Sequence, residues 1–432
     1  MKKMTALLLA LLLTLSLCAF TPAMAAELGD PAGVTISLWH ARSTGANYDQ
    51  LTAAIKEFNE TNPYGITVEE VFQGNNDEVA QKTMTAIAGR TAPTLTTLTV
   101  TYITEFATNG VLADMSGYAE RDKESYPMDN YLDALLEFSY YDGQLISFPY
   151  CRSTAVFYYN KAMFEAAGYT EAPKTMEDLA VACKAIIEKN EGVDGLSFGN
   201  NDWFVGNFLV QLGSTEIDAD DQGMTCLEDG SMLKVLSSWK GWIDDGWCIA
   251  PTVATAATNI RELFYQGKLA CFLESSGGMT NILRLSRENG VDVGVAYLPY
   301  LAEGKPACPA GGTNLAVLAS ATPNEQAAAW EFIKFLGSDA QSADNAIASG
   351  YLPITKSAAE TDVLKAYWAE KPEYKVAFDQ LNENGHDYPF SVHLSEVKTA
   401  IENPCSMLII DGSITPEEAL KSIQKNAAQI EW

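Results

Sequence analysis

The stretch Val34–Val71, VTISLWHARSTGANYDQLTAAIKEFNETNPYGITVEEV, decides the fold. Val34 to Trp39 reads as a strand. Tyr48, Leu51, Ile55 and Phe58 then recur at helical spacing, and Ile66-Thr67-Val68 returns to a strand pattern. A second helix is expected from about Asn76 to Ala88, and Leu95 to Val100 reads as a third strand. Strands separated by helices of this length form βαβ units, and therefore a parallel sheet covered by helices.

Similar units continue to the far end of the chain. TMEDLAVACKAIIEKN (175–190) opens on an N-cap threonine with an acidic residue three positions later. TPNEQAAAWEFIKFL, from Thr322, has proline at N1 and Glu325 at N3, a capping box, and TPEEALKSI from Thr415 repeats it. No internal repeat or low-complexity linker divides the 432 residues. That length is enough for two cores. The prediction is an α/β fold of two lobes joined by a hinge, with the chain crossing between them several times. Residues 26–147 plus 313–336 form one lobe, and 148–312 plus 337–432 the other. Ligands of open α/β sheets sit beyond the carboxyl ends of the strands, so two facing lobes would share a cleft.

Composition excludes several function classes. A net charge of −28 argues against nucleic acid, whose binders present a basic face, and equally against anionic lipid. Lys2 and Lys3, the apolar run Leu7–Leu17 and Ala23-Met24-Ala25 read as a signal peptide over residues 1–25. Export to the periplasm or the extracellular space is expected. Leu17 before Cys18 favours free secretion over lipid anchoring at that cysteine. The other seven cysteines include no CxxC pair, so neither a zinc knuckle nor a thioredoxin motif is indicated, and buried apolar cysteines are expected. Trp239, Trp242 and Trp247 sit at helical spacing and read as core. DADDQG (218–223) resembles a calcium loop, but its twelfth position is Asp229 and its ninth Cys226, so a solvated acidic loop is the better reading. No metal or cofactor is expected.

The loops that would line the cleft are WHARSTG (39–45), FQGNNDE (72–78), YCRST (150–154), NNDWFVGNF (200–208), ESSGG (274–278), PAGGTN (309–314) and GYLPIT (350–355). They combine aromatics, which cover apolar faces of a sugar or polyol, with hydroxyls, amides and glycines that bond its oxygens. KLACFLESSGGMTNI (268–282) is the most pointed of them. A buried strand stops at hydroxyls and bare amides, just where a helix with free N–H donors begins.

These residues resemble an extracellular solute-binding protein of an ABC importer, in the large carbohydrate-binding family, and within it the glycerol-3-phosphate or glycerophosphodiester binders. The resemblance covers roughly residues 35–428. Its markers are WH ending the first strand, STAVFYYNKAMFEAAG (153–168), ESSGG followed by NI, GG before a strand, and GYLPIT. It implies a two-lobed fold that closes on its ligand, with a membrane permease as partner and the chain acting as a monomer. It places phosphate contacts on Ser153, on Ser275 or Ser276, on Gly312 and on Tyr351, and a tryptophan beside the glycerol at Trp203. Trp39 and His40 are added as residues of the WH loop. The sequence departs from the family at three places. A glycerol-contacting tyrosine is Asn76 here, a carboxylate aligns with Val100, and the phosphate-binding arginine after PF is missing, since no arginine follows Arg287. Arg152 or His393 is the substitute cation the sequence offers. The expected ligand is a sugar, a polyol or a glycerophosphodiester, in a pocket built for hydroxyls.

A secreted glycoside-acting enzyme is the alternative. It needs two carboxylates across the cleft, and the cleft loops offer only Asp77, Glu78, Asp202 and Glu274. No GxSxG or HExxH motif occurs. A surface adhesin would show β-repeats or a wall anchor, and neither is present.

Overall fold

The structure is a computed structural model that describes residues 28–199, 202–251, 256–386 and 390–432. The signal-peptide reading of residues 1–25 lies outside them. The first units follow the expected order: β1 (Thr35–His40), α1 (Ala46–Thr61), β2 (Thr67–Phe72), α2 (Asn76–Gly89), β3 (Leu95–Thr99) and α3 (Val100–Thr108). Next come β4 (Phe148–Ser153), β5 (Ala155–Asn160), α4 (Met176–Lys189), β6 (Asp194–Phe198), α5 (Asp202–Gln211), α6 (Ser231–Asp244) and α7 (Ala256–Tyr265). They are followed by β7 (Leu269–Ser275), α8 (Met279–Glu288), β8 (Val293–Tyr297) and β9 (Gly311–Val317). The C-terminal part is largely helical, with α9 (Pro323–Leu336), α10 (Asp339–Ser349), α11 (Leu394–Ile409) and α12 (Pro416–Ala427).

Two sheets organise the lobes. The first has the order β2-β1-β3-β9-β4, and the second β8-β5-β7-β6. Both are mixed, where a parallel sheet was expected. β1 runs parallel to β2 and β3, but β9 is antiparallel to β3 and β4. In the second sheet only β6 and β7 are parallel. Ile36, Leu38, Leu51 and Phe58 pack with Phe148, Leu315 and Trp330 to form the first core. Val156, Tyr158, Phe264, Phe272 and Ile282 are buried together beside the second sheet.

β9 lies in the first sheet, and α9 packs on the core beside it. The division before residue 148 needs correction, because β4 pairs with β9 inside the first sheet. Ladder hydrogen bonds thus carry the chain through Ser153, and it crosses at Thr154 into β5. α10, expected in the second lobe, touches both. Its Gln341 Nε2 donates to Glu57 Oε2 of α1 at 2.9 Å, and Thr280 Oγ1 of α8 donates to its Ile347 carbonyl at 3.3 Å. α11 is shared too: Val397, Ile401 and Cys405 lie in one apolar cluster with Ile103 and Phe106 of α3 and with Phe208 and Trp239.

Local signals fold as the side chains dictate. Thr175 Oγ1 accepts from Asp178 N at 3.1 Å, and Thr322 and Thr415 both close capping boxes. Trp239 and Trp247 are buried, and Trp242 packs against the same core. The seven described cysteines are buried and unpaired. Cys183 and Cys271 have their sulfurs 3.7 Å apart, well beyond a bond of about 2 Å. In the 218–223 loop, Asp218 Oδ1 accepts from the amides of Asp220 and Gln222, so it braces its own turn. Among the described residues no group of three metal-ligating side chains converges, and no helix is long and apolar enough to cross a membrane.

Candidate functional site

The strand ends bring the ESSGG motif to the middle of the molecule. Ala155 of β5 pairs with Ser275 of β7, so the crossing residue Thr154 lies beside Ser276. Ser276 N donates to the Thr154 carbonyl at 2.9 Å, and Ser276 Oγ accepts from Thr154 N at 3.4 Å. Ser275 Oγ accepts from Gly277 N at 3.1 Å, so that hydroxyl caps its own turn. Glu274 is held by Arg261 through a two-point ion pair.

Four glycines permit the close approaches around this motif. Gly350 sits at φ 95°, and a Cβ there would lie 2.5 Å from the Ser276 carbonyl. This seats Tyr351 directly on Gly277, where a Cβ would come within 2.2 Å of its ring. Gly311 pairs with Ser153, and its bare Cα faces the Trp203 ring, 2.7 Å from where a Cβ would stand. Gly312, at φ 95°, leaves no room for a Cβ beside the Cys151 carbonyl. Ser153, Trp203, Ser276, Gly312 and Tyr351 therefore gather in one region. The first lobe closes onto it. Asn47 Nδ2 of α1 donates to the Gly277 carbonyl at 2.9 Å, and Gly45 abuts Asn281 of α8. Buried atoms without a hydrogen-bond partner cluster here: Asn47 Oδ1, Asn281 Oδ1, Tyr150 OH and Trp203 Nε1.

Arg42, in the WHARSTG loop, was not singled out from the sequence. Its guanidinium donates to the Asn47 carbonyl (2.9 Å), Gln50 Oε1 (3.2 Å), Cys151 Sγ (2.6 Å) and Asn345 Oδ1 (3.0 Å). It lies over the rings of Tyr150 and Tyr351, 4.9 and 5.6 Å from their centroids. Every one of these partners is neutral.

The opposite end of the region is acidic. Asp202, next to Trp203, shares a hydrogen bond with Glu402 of α11, and buried Glu216 stands beside both. Burial, then the Asp202 charge, pushes Glu402 up to about 7. Lys398 of α11 reaches across to Asp77 of α2 at 2.9 Å, and Tyr102 OH donates to the same carboxylate oxygen at 2.9 Å.

Other expected residues stand apart. His40 is buried, with Nε2 donating to Glu70 at 2.6 Å and Nδ1 accepting from Arg42 N at 3.1 Å, so both ring nitrogens are occupied within its lobe. Burial lowers its pKa, against the opposing pull of Glu70. Trp39 lies half-buried on the face of β1 opposite Leu38. Asn76 is exposed at the start of α2. Arg152 is buried in β4, where it donates to Asn314 Oδ1 (3.1 Å) and the Ala310 carbonyl (3.4 Å); burial lowers its pKa to about 10. It braces the crossing strands. His393 bonds Glu396 on its own helix at 2.9 Å. A surface cavity of about 580 Å³ lies elsewhere, on the β8 edge among Tyr159, Lys161, Arg287 and Glu373. We place the site at the lobe junction instead, because four partnerless buried polar atoms, Asn47 Oδ1, Asn281 Oδ1, Tyr150 OH and Trp203 Nε1, lie there beside the ESSGG turn.

The model of the bacterial extracellular solute-binding protein family matches residues 53–373. The sn-glycerol-3-phosphate-binding periplasmic protein UgpB of Rhizobium meliloti (strain 1021) is 26% identical over 355 residues, 79% of this chain and 80% of the relative. The crystal structure of UgpB from Mycobacterium tuberculosis in complex with glycerophosphocholine superimposes with a TM-score of 0.80 at 25% identity, covering 91% of this chain and 97% of that one. Maltose-bound T. maritima MalE3 shares the fold, with a TM-score of 0.79 at 23% identity over 91% of this chain and 99% of that one.

Proposed function

The chain belongs to the bacterial extracellular solute-binding family, and we propose that it captures a small polar solute between its lobes and delivers it to the membrane permease of an ABC importer. One observation carries this reading: partnerless polar atoms, Asn47 Oδ1, Asn281 Oδ1 and Trp203 Nε1, are buried where the lobes meet. A buried polar atom without a partner costs free energy that a ligand's hydroxyls would recover. Around them Ser276, Tyr351, Ser153 and the Gly311-Gly312 backbone supply short, polar contacts. Sugars and glycerol-phosphate-type solutes both match that chemistry, and relatives named above bind one or the other. Closure is a population shift between open and closed lobes, driven by the solute's preference for the closed one. The protein works as an exported monomer, freely secreted or anchored at Cys18.

The carboxylates available for glycoside hydrolysis are already committed. Glu274 pairs with Arg261, Asp77 with Lys398, Asp202 with Glu402, and Glu78 caps α2. The solute should therefore leave unchanged. A thermal-shift screen with sugars, sn-glycerol 3-phosphate and glycerophosphodiesters identifies the ligand by mass action. Chromatography after incubation then tests for chemistry. Turnover that disappears in Asp202→Asn would defeat the reading.

A further inference from the structure

We infer that Cys183 and Cys271 are a latent disulfide, a redox-modification site that ties helix α4 to strand β7 inside the second lobe. Their sulfurs lie 3.7 Å apart, in van der Waals contact, although the residues are 88 positions apart in the chain. Both stand on regular elements, Cys183 within α4 and Cys271 within β7. A third thiol lies close by. Leu196 of β6 pairs with Cys271 on one side and bridges to Cys248 on the other. Cys248 Sγ, however, turns to the Ile249 carbonyl at 3.8 Å. A second observation is independent of the sulfurs. Cys183 sits low over the sheet because residue 195 of β6 is glycine: a Cβ there would stand 2.8 Å from the Cys183 Cβ and 3.2 Å from its Sγ. Cys271 Sγ donates to the Gly195 carbonyl at 3.3 Å, so the same glycine touches both cysteines. A glycine inside a strand weakens it and marks a place where another group comes close. A disulfide needs its sulfurs about 2 Å apart, and turning the two side chains toward each other closes the remaining gap.

The step is thiol–disulfide exchange with a disulfide oxidant, a class of reagent met in the extracellular setting of this family. The thiolate of one cysteine attacks a sulfur of the oxidant, forming a mixed disulfide and releasing one thiol. The thiolate of the other cysteine attacks the mixed disulfide at the protein's sulfur. That forms the Cys183–Cys271 bond and expels the second thiol. The two cysteine protons end on the two released thiols, and the two electrons have reduced the oxidant. Both cysteines are 0% exposed, and burial holds the Cys271 thiol well above its ordinary range. The finished lobe therefore shields the pair. The bond forms while the lobe is folding, and once made it is equally shielded from reductants.

The test starts from the mature protein, denatured with dithiothreitol and refolded either with oxidised glutathione or with dithiothreitol. Free thiols are then alkylated in denaturant, and the tryptic peptides are read by mass spectrometry. Oxidative refolding is expected to join peptide 175–184 to peptide 269–284, two hydrogens lighter than their sum, and to leave the other five of the seven cysteines alkylated. The linked form should melt about 5 °C above the reduced form, because the bond closes a long loop in the unfolded chain. Cys183→Ala and Cys271→Ala should each lose the link and the added stability, and Cys248→Ala should keep both. The peptide map of the unaltered protein decides even where a variant fails to fold. Seven alkylated cysteines after oxidative refolding overturn the inference. So does a link in which Cys248 or any other cysteine takes the place of Cys183 or Cys271.

Discussion

Arg42 and Lys398 are both cations of the cleft wall, and their surroundings are opposite. Arg42 sits among two phenol rings, a thiol and amides. Lys398 sits among Asp77, Asp202 and Glu402, with Glu216 behind them. One end keeps an uncompensated positive charge, and the other an excess of carboxylates moderated by one ammonium. The two ends are joined by a short chain of contacts, from Asp202 through Trp203, Gly311, Ser153, Thr154 and Ser276 to Gly277 and Tyr351. The lesson is that the same side-chain charge serves two purposes. With carboxylate partners inside the protein it closes a contact between elements. Without them, as at Arg42 and at buried Arg152, it is held by neutral hydrogen-bond acceptors.

The largest expected effect breaks the join itself. Gly312→Ala places a Cβ about 2.0 Å from the Cys151 carbonyl at a φ of 95°. It should cost about 4 kcal/mol of stability and abolish binding at both ends. Chemical denaturation and a thermal-shift assay measure both, and a wild-type melting point would show that the join is less rigid than described. Lys398→Met comes next. It leaves half-buried Asp202 and exposed Asp77 without their cation, and about 2 kcal/mol should be lost at neutral pH, chiefly through Asp202. The loss should shrink near pH 5, where a proton can replace the ammonium. An equal loss at both values would count against the acidic cluster.

The third prediction concerns pH in the native protein. Glu402 has its folded pKa raised from 4.5 to about 7. Between those values the folded chain holds a proton that the unfolded chain has released, so stability falls as pH rises through the window. The fall should be on the order of 2 kcal/mol, and Glu402→Gln should flatten it. Denaturation midpoints from pH 4.5 to 7.5 decide, and a rise over that range would contradict the assignment. The smallest effects belong to the middle of the site. Ser276→Ala and Tyr351→Phe should each weaken solute binding by about 1 kcal/mol, the scale of one buried hydrogen bond. If calorimetry finds both unchanged in folded protein, ESSGG is only a turn and a cap.

Much of this was legible in the sequence because the controlling interactions are local. The β1–α1–β2–α2–β3 alternation follows from spacing within a few turns, and Thr175, Thr322 and Thr415 cap helices through residues three positions away. The gathering of Ser153, Ser276, Gly312 and Tyr351 was anticipated through a family likeness. What escaped were facts that depend on distant partners. FPYCRS could be read as a strand, but only its pairing with β9, some 160 residues later, assigns it to the first sheet. Arg42 lay in a loop already expected at the cleft. Its importance comes from Tyr150, Cys151, Asn345 and Tyr351, none of them near it in sequence. His40 was misplaced for the same reason, since Glu70 on the neighbouring strand claims its ring.

The order of strands in the first sheet, β2-β1-β3-β9-β4, also governs when the protein can fold. β9 is inserted between β3 and β4, yet it is synthesised long after both. The three parallel strands and β4 remain two separate edges until Gly311–Val317 arrives to bridge them. Pairing at such sequence separation is slow, because loop closure comes before any reward in contacts. A nascent chain ending before Gly311 therefore has no completed first lobe. Commitment to the native state waits on the last third of the polypeptide.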